Sequence, residues 1–555
     1  MEKLIRKHAL QNAVLHDGRA DVGAVVGKVL AERPELRKNV KVVARQVAVA
    51  VSAVNKMKAG EQRAELEKSA PELLEKKELK KGLPELKNAV MGRVVTRIPP
   101  EPSKYAQIGH ALSFLINYLY AQKYKGKCIL RFEDTNPEKS SQEFVDAITG
   151  DVLDYLGIKV NKTVFVSDEL PKMYKLAEQL IKNSNAYVCF CEQEKMRSLR
   201  HQGLPCGCRE KAANISLAEW KKMLNREYKE GECVLRLKAD MSAENQVMRD
   251  PVIFRLSYTK HYRQLDKFVV WPMYDFENAV MDSLNGITHV LRSNEFGSMR
   301  IELQEYIKDL LKLPKQEVKQ YGRFNITGYV TQGRVIREMV EKKQVSGWDD
   351  PRLVTLKALK RRGIQKETFY ELAVEVGLSP SQTNIGWEVV ASINRKLLDK
   401  AVDRYFFVRE PVKIAVKGAP LREVKLKLHP DFPERGYRGF KVGENFFIAK
   451  QDYDKIEDGE LVRLMDCLNF VKKAKSFVFD SPDHDTFKSR GKRIIHWLPA
   501  DNLKAEVLMP DGTIAKGLVE TNIKSLKAGD IVQFARFGFC KLENKERLFF
   551  VYCHE

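Results

Sequence analysis

Apolar positions follow two rhythms along this chain, three to four residues apart near its start and two apart near its end. Residues 1–91 are rich in Ala, Lys, Glu, Leu and Val with few breakers, which predicts a small all-helical extension closing in the charged stretch 65–87. Within it the run 40–54 is interrupted by Lys41, Arg45 and Gln46. It reads as a buried helix, not a membrane span, which needs roughly 20 apolar residues. The rhythm changes at Gly92. A β-branched run at 93–97, a Pro-rich loop at 98–103, an amphipathic helix over 108–124 and a buried strand over 128–132 make a βαβ unit and hence a parallel sheet. Residues 92–188 are therefore expected to form the first half of a Rossmann-type α/β domain. Mixed, cysteine-paired sequence over 189–268 predicts an inserted α/β subdomain, and strand-like runs near 269 and at 287–291 place the second half over 269–330. Basic helices fill 331–403 as a stem. Over 404–555, short alternating strands such as Val412-Lys-Ile-Ala-Val416 and Ile531-Val-Gln-Phe534 are separated by Gly, Pro and Asp, the pattern of all-β barrels. The fold class expected is multidomain α/β with helical and barrel appendages.

Composition changes this picture in two respects. Lysine and arginine number 96 against 74 acids, a formal charge of +22, and the sequence pI is near 9.4. Such a surplus suits a polyanionic partner, since each neutralised phosphate releases a condensed counterion. A merely basic, soluble surface fits the charge equally well. No secretory apolar leader stands at the N-terminus, and the nine cysteines are scattered or closely spaced rather than arranged as a disulfide framework. A reducing, cytoplasmic setting without membrane contact is expected.

The central chemical signal is Arg97-Ile-Pro-Pro-Glu-Pro-Ser-Lys-Tyr-Ala-Gln107-Ile-Gly-His110, set between the first strand and its helix. Ligands bind beyond the C-terminal ends of parallel strands, and the starting helix offers free N–H groups and a positive pole to phosphates. Gly109 leaves room for a flat base, and His110 can donate to phosphate oxygens. The string resembles the class I aminoacyl-tRNA synthetases, whose first signature is His-Ile-Gly-His; here Gln107 replaces the first histidine. Leu130-Arg-Phe-Glu-Asp-Thr-Asn-Pro137, Trp271-Pro-Met-Tyr-Asp-Phe276, Gly286-Ile-Thr-His-Val-Leu-Arg292 and Gly347-Trp-Asp-Asp-Pro-Arg352 narrow it to the glutamyl/glutaminyl group, in its archaeal glutamyl form.

That resemblance implies an ATP- and Mg2+-dependent ligase that joins glutamate to the 3' end of tRNA(Glu), with tRNA(Gln) a second acceptor in some archaeal members. It implies a glutamate pocket in which Arg97 and Arg292 meet carboxylates, Glu133 faces the ammonium with Glu101 nearby, and Tyr274 and Asn278 complete the hydrogen bonds. Gln107, Gly109, His110 and Arg334 are the expected ATP-site residues. Glutaminyl members usually carry an uncharged residue where Arg292 stands. A buried arginine there favours a carboxylate over an amide, which cannot compensate it.

One departure matters. The second class I signature carries a lysine that contacts ATP phosphates, but this chain reads Thr331-Gln-Gly-Arg-Val-Ile336, with Arg334 and Val335 where Ser-Lys would stand. Either Arg334 substitutes or activation is impaired, and arginine is not a simple replacement for lysine. Cys189-Phe-Cys191 and Cys206-Gly-Cys208, 14 residues apart, match four ligands for one tetrahedral zinc, against the alternative of reduced thiols in a small core. Lys357-Ala-Leu-Lys-Arg-Arg-Gly363 suits tRNA phosphates. The rival readings are a glutaminyl enzyme and a non-catalytic tRNA-binding paralogue. A monomer is expected.

Overall fold

The computed structural model describes residues 1–15, 18–70 and 82–555, so residues 71–81 of the expected charged stretch lie outside the described residues. Two compact units result, Met1–Gly82 and Leu83–Glu555. The first is helical over Glu2–Leu15, Val22–Glu32, Val40–Asn55 and Ala59–Ser69. Val43, Val47, Val51 and Val54 fall on one helical stripe and are buried with Ile5, Leu10, Val25, Val29 and Leu66, so the 3.6-residue period is what assembles this core. Asp21 caps its helix by accepting the Ala24 N–H at 2.8 Å,. No helix of the described residues is long and apolar enough to cross a membrane.

In the second unit, residues 83–91 pack beside the first helix of the α/β layer: the Leu86 N–H donates to the Tyr124 hydroxyl at 2.9 Å and Lys123 reaches the Leu83 carbonyl at 2.6 Å. β1 (Val95–Ile98), α1 (Ile108–Lys123) and β2 (Lys127–Phe132) form the expected βαβ unit, with β3 (Lys162–Phe165) beyond β2 in a parallel sheet of order β1-β2-β3. An antiparallel sheet follows, built from Ala186–Cys189, Val234–Leu237, Val252–Leu256 and Val270–Pro272. Then come α2 (Tyr274–Leu284), β4 (His289–Ser293), α3 (Gly297–Leu311) and β5 (Glu317–Tyr321), with β4 and β5 parallel. β4 lies at the free edge of β1, where the Thr288 N–H donates to the Val95 carbonyl at 3.0 Å and the Val95 N–H returns to Thr288 Oγ1 at 2.8 Å. The chain thus continues from β1 in both directions, to β2 on one side and β4 on the other. That is the topological switch at which parallel sheets open a crevice.

α4 (Gly333–Glu341) and α5 (Leu356–Arg362) belong to the helical region that follows, and two seven-stranded sheets complete the chain. In one of these sheets the edge strands Arg404–Tyr405 and Phe407–Arg409 are separated by Phe406 alone. In the strand Pro411–Lys417, exposure alternates residue by residue over its second half, as a strand with one buried face requires.

Candidate active site

Arg97 pairs in register with Ile129, so Arg131, two residues further on, rises on the same face of the sheet. Both guanidinium groups are buried and converge on Asp282 of α2: Arg97 Nε donates at 3.0 Å and Arg131 Nη1 stands 2.8 Å away. Two buried cations are tolerable only against a buried anion. Burial works against the Asp282 charge, but Arg97 and Arg131 overcome it and hold the carboxyl down to about 2.

Tyr274, Asn278 and Asp282 recur every four residues and so share one stripe of α2. Asn278 Nδ2 donates to Glu133 at 3.1 Å, and Glu133 also accepts Arg131 Nη2 at 2.9 Å. Burial pushes the Glu133 carboxyl up while Arg131 and Arg97 pull against it. Tyr274 is partly buried and faces this cluster, its phenol raised first by burial and then by Glu133. Glu277, next on the helix, accepts the Thr135 hydroxyl at 2.5 Å, and burial together with Glu133 keeps it protonated well above its ordinary range. Glu101 remains exposed on its loop, outside this hydrogen-bonded cluster.

Arg292 comes from the neighbouring strand β4. Its Nη1 donates to Gln304 of α3 at 3.0 Å, Gln304 donates on to Asp275 at 3.1 Å, and Asp275 pairs with Arg300 at 2.5 Å. Its Nε and Nη2 are buried with no protein partner among the described residues. A side chain 6% exposed with two unmet donors has the chemistry to accept an anionic oxygen pair.

The half of the site expected to take the nucleotide starts where α1 begins. The Gln107 N–H donates to His110 Nδ1 at 3.2 Å, which assigns the ring proton to Nε2. Burial first, then Lys104 and Arg323, push His110 down to about 4, so the imidazole is a neutral donor at pH 7. A Cβ on Gly109 would come within 3.2 Å of the Phe324 carbonyl, so the glycine also lets the neighbouring backbone close in. The Gly347–Arg352 motif clamps this loop. Residues 354–356 bridge it through Ile108 N–H to Val354 carbonyl (3.1 Å) and Leu356 N–H to Ala106 carbonyl (2.9 Å), and the Trp348 ring lies 5.3 Å from that of Tyr105. Arg334 is exposed on the first turn of α4.

The four paired cysteines come together: Cys189 and Cys206 sulfurs stand 3.9 Å apart, as do Cys191 and Cys208, and all four lie within 4.8 Å of one another. Zinc–sulfur bonds of about 2.3 Å give a tetrahedron whose edge is about 3.8 Å, so the residues fit that ion. The basic run at 357–363 is divided: Lys357 and Lys360 are exposed, whereas Arg361 and Arg362 are held by partners within the chain. Arg361 forks onto Glu543 at 2.6 and 2.9 Å, Arg362 is buried against the Cys553 carbonyl at 2.8 Å, and the Lys357 ammonium covers the Tyr105 ring at 4.9 Å. A more open basic place is a cavity of about 600 Å³ among the C-terminal sheets, lined by Arg404, Lys425, Lys427, Tyr437, Arg438 and Arg536.

Arg131, Asp282 and Gln304 escaped the sequence reading. Arg131 sits inside the quoted Leu130–Pro137 motif and could have been found there. Asp282 and Gln304 carry no local signal, each being one polar residue among several on its helix.

Residues 93–400 match the family described as tRNA synthetases class I (E and Q), catalytic domain, and 402–483 and 494–543 match anti-codon binding domains of the same family. The glutamate–tRNA ligase of Pyrococcus abyssi is 40% identical over 573 residues, covering 100% of each chain. That of Pyrococcus furiosus is 40% identical over 574 residues with the same full coverage. A solved glutamate tRNA ligase from Elizabethkingia meningosepticum, crystallised with its amino acid, shares 17% identity at a TM-score of 0.39, over 56% of this chain and 70% of its own. Catalytic and anticodon-binding matches thus run in order along a chain whose neighbouring strands β1 and β4 carry the buried Arg97 and Arg292, and the chain belongs to the glutamyl/glutaminyl (E and Q) family of class I tRNA synthetases.

Proposed function

We propose that the chain is a glutamate–tRNA ligase. Arg292 carries this reading: its two unmet, buried guanidinium nitrogens would receive the side-chain carboxylate of glutamate, whereas glutamine would leave the charge uncompensated. Glu133 would take the substrate ammonium, with Tyr274 and Asn278 bounding the pocket. Arg97, whose plane is fixed by Asp282, would present its other face to a substrate carboxylate.

In the first step the α-carboxylate of glutamate attacks the α-phosphorus of Mg·ATP, a P–O bond forms, and pyrophosphate leaves. In the second, a ribose hydroxyl of the tRNA's terminal adenosine attacks the activated carbonyl and AMP leaves. His110 Nε2–H and the start of α1 would donate to phosphate oxygens as charge develops there. No protein nucleophile is required, so positioning and charge neutralisation supply the catalysis.

The four thiols are proposed to hold one structural zinc ion, and the basic cavity among the C-terminal sheets to receive unstacked tRNA bases, with Tyr437, largely exposed, as a stacking platform. Filter-bound transfer of labelled glutamate to tRNA(Glu), dependent on ATP, tests the reading. A glutaminyl enzyme would instead transfer labelled glutamine alone.

A further inference from the structure

Lys104 stands on the first-signature loop, yet its side chain lies across α4. A Cβ on Gly333 would be 2.6 Å from Lys104 Cδ and 3.6 Å from both Cε and Nζ, so the ammonium rests on the one residue of that turn that offers no side chain. The contact is latched nearby, where Arg337 of α4 donates to the Ser103 carbonyl at 2.6 Å. This is an awkward place for a cation. The first turn of α4 contains no acid and its N-cap Gln332 makes no side-chain hydrogen bond, so the positive pole of the helix faces the ammonium. No hydrogen bond or ion pair engages Lys104 among the described residues, Arg334 adds a second charge on the same turn, and the Lys104 charge also reaches His110. On the same loop, Gln107 Nε2 is buried without a partner. Positive charge gathered this way is relieved by a polyanion.

We propose that Lys104 supplies the ATP-phosphate-binding ammonium that the second signature lacks, with Gly333 as the seat of its side chain. The inference rests on the ligase reading for its substrate. It makes the altered second signature a relocation of the cation from the α4 segment to the α1 loop. Arg334, exposed on the first turn of α4, then adds to the local positive charge without being the phosphate-binding cation.

The test is Mg·ATP binding by titration calorimetry on the full chain, together with aminoacylation, for wild type, K104M, K104R, R334M and G333A. The expected result is a loss of roughly 10- to 100-fold in ATP affinity and in kcat/KM for ATP with K104M, the size of one charge-assisted hydrogen bond. The KM for glutamate and the melting temperature should stay unchanged, and K104R should recover part of the loss. G333A should weaken ATP binding in the wild-type background and have no further effect in K104M. ATP binding and turnover unaltered in K104M, with loss in R334M, would overturn the proposal. Wild-type protein that binds ATP through Lys104 but charges no tRNA would instead sink the ligase reading and leave Lys104 standing as the ATP-binding cation.

Discussion

Arg292 gives one guanidinium nitrogen to Gln304 at 3.0 Å and keeps Nε and Nη2 buried and unmet. Gln304 thereby fixes the plane of the fork, and Asp275, through Gln304, balances part of its charge. Arg292→Cys is expected to raise the KM for glutamate and reduce its preference over glutamine by about 10- to 100-fold, the value of a charge-assisted pair. Gln304→Leu should act in the same direction but more weakly, because orientation is lost and charge is kept. Steady-state kinetics with both amino acids, at saturating tRNA, would read both effects.

Asp282 lies between two buried arginines from adjacent strands. Asp282→Asn leaves both cations without their anion and should lower stability by about 3–5 kcal/mol, read as a fall in denaturation midpoint at constant m. Its carboxyl is depressed in the folded chain, so the stability it contributes is present above the unfolded value near 4 and is lost as pH falls through about 2. Glu277 has the opposite sign. Its folded carboxyl is raised, so stability falls as pH climbs past the unfolded value near 4.3. Glu277→Gln should therefore gain melting temperature relative to wild type on going from pH 5 to pH 8, and a constant difference would contradict the assignment.

What was legible beforehand were residues contiguous in sequence. The first-signature loop, Arg292 and the cysteine pairs each sit in short strings whose residue types announce phosphate, carboxylate or metal chemistry. Asp282 was not legible, because its meaning depends on two arginines about 150 and 185 positions away, and in sequence it is one of several polar residues on its helix. The run at 357–363 was only partly legible, for the converse reason. A cluster of cations looks solvated until its distant partners Tyr105, Glu543 and the Cys553 carbonyl are in place.

Those partners differ in worth. Arg361 and Glu543 form a partly exposed pair, with side chains 23% and 36% accessible, and Arg361→Ala should cost about 1 kcal/mol or less. Arg362 is fully buried, stacks its guanidinium 4.1 Å over Trp387, and meets the Cys553 carbonyl. Arg362→Met should cost on the order of 2–4 kcal/mol. Chemical denaturation of the two variants side by side separates these cases, and equal losses would mean that the helix is held some other way.

The four thiols predict metal content. Purified protein should carry one equivalent of zinc by mass spectrometry, and Cys191→Ser or Cys208→Ser should release it, with protease sensitivity confined to 189–268. Full zinc retention in both variants would argue for a different ligand set.

The ligase reading turns most directly on charging tRNA with labelled glutamate and, separately, labelled glutamine in the presence of Mg·ATP. ATP-dependent attachment of glutamate, with glutamine rejected and the preference lost in Arg292→Cys, is the expected result. Attachment of glutamine alone, or intact tRNA binding with neither amino acid attached, would contradict it.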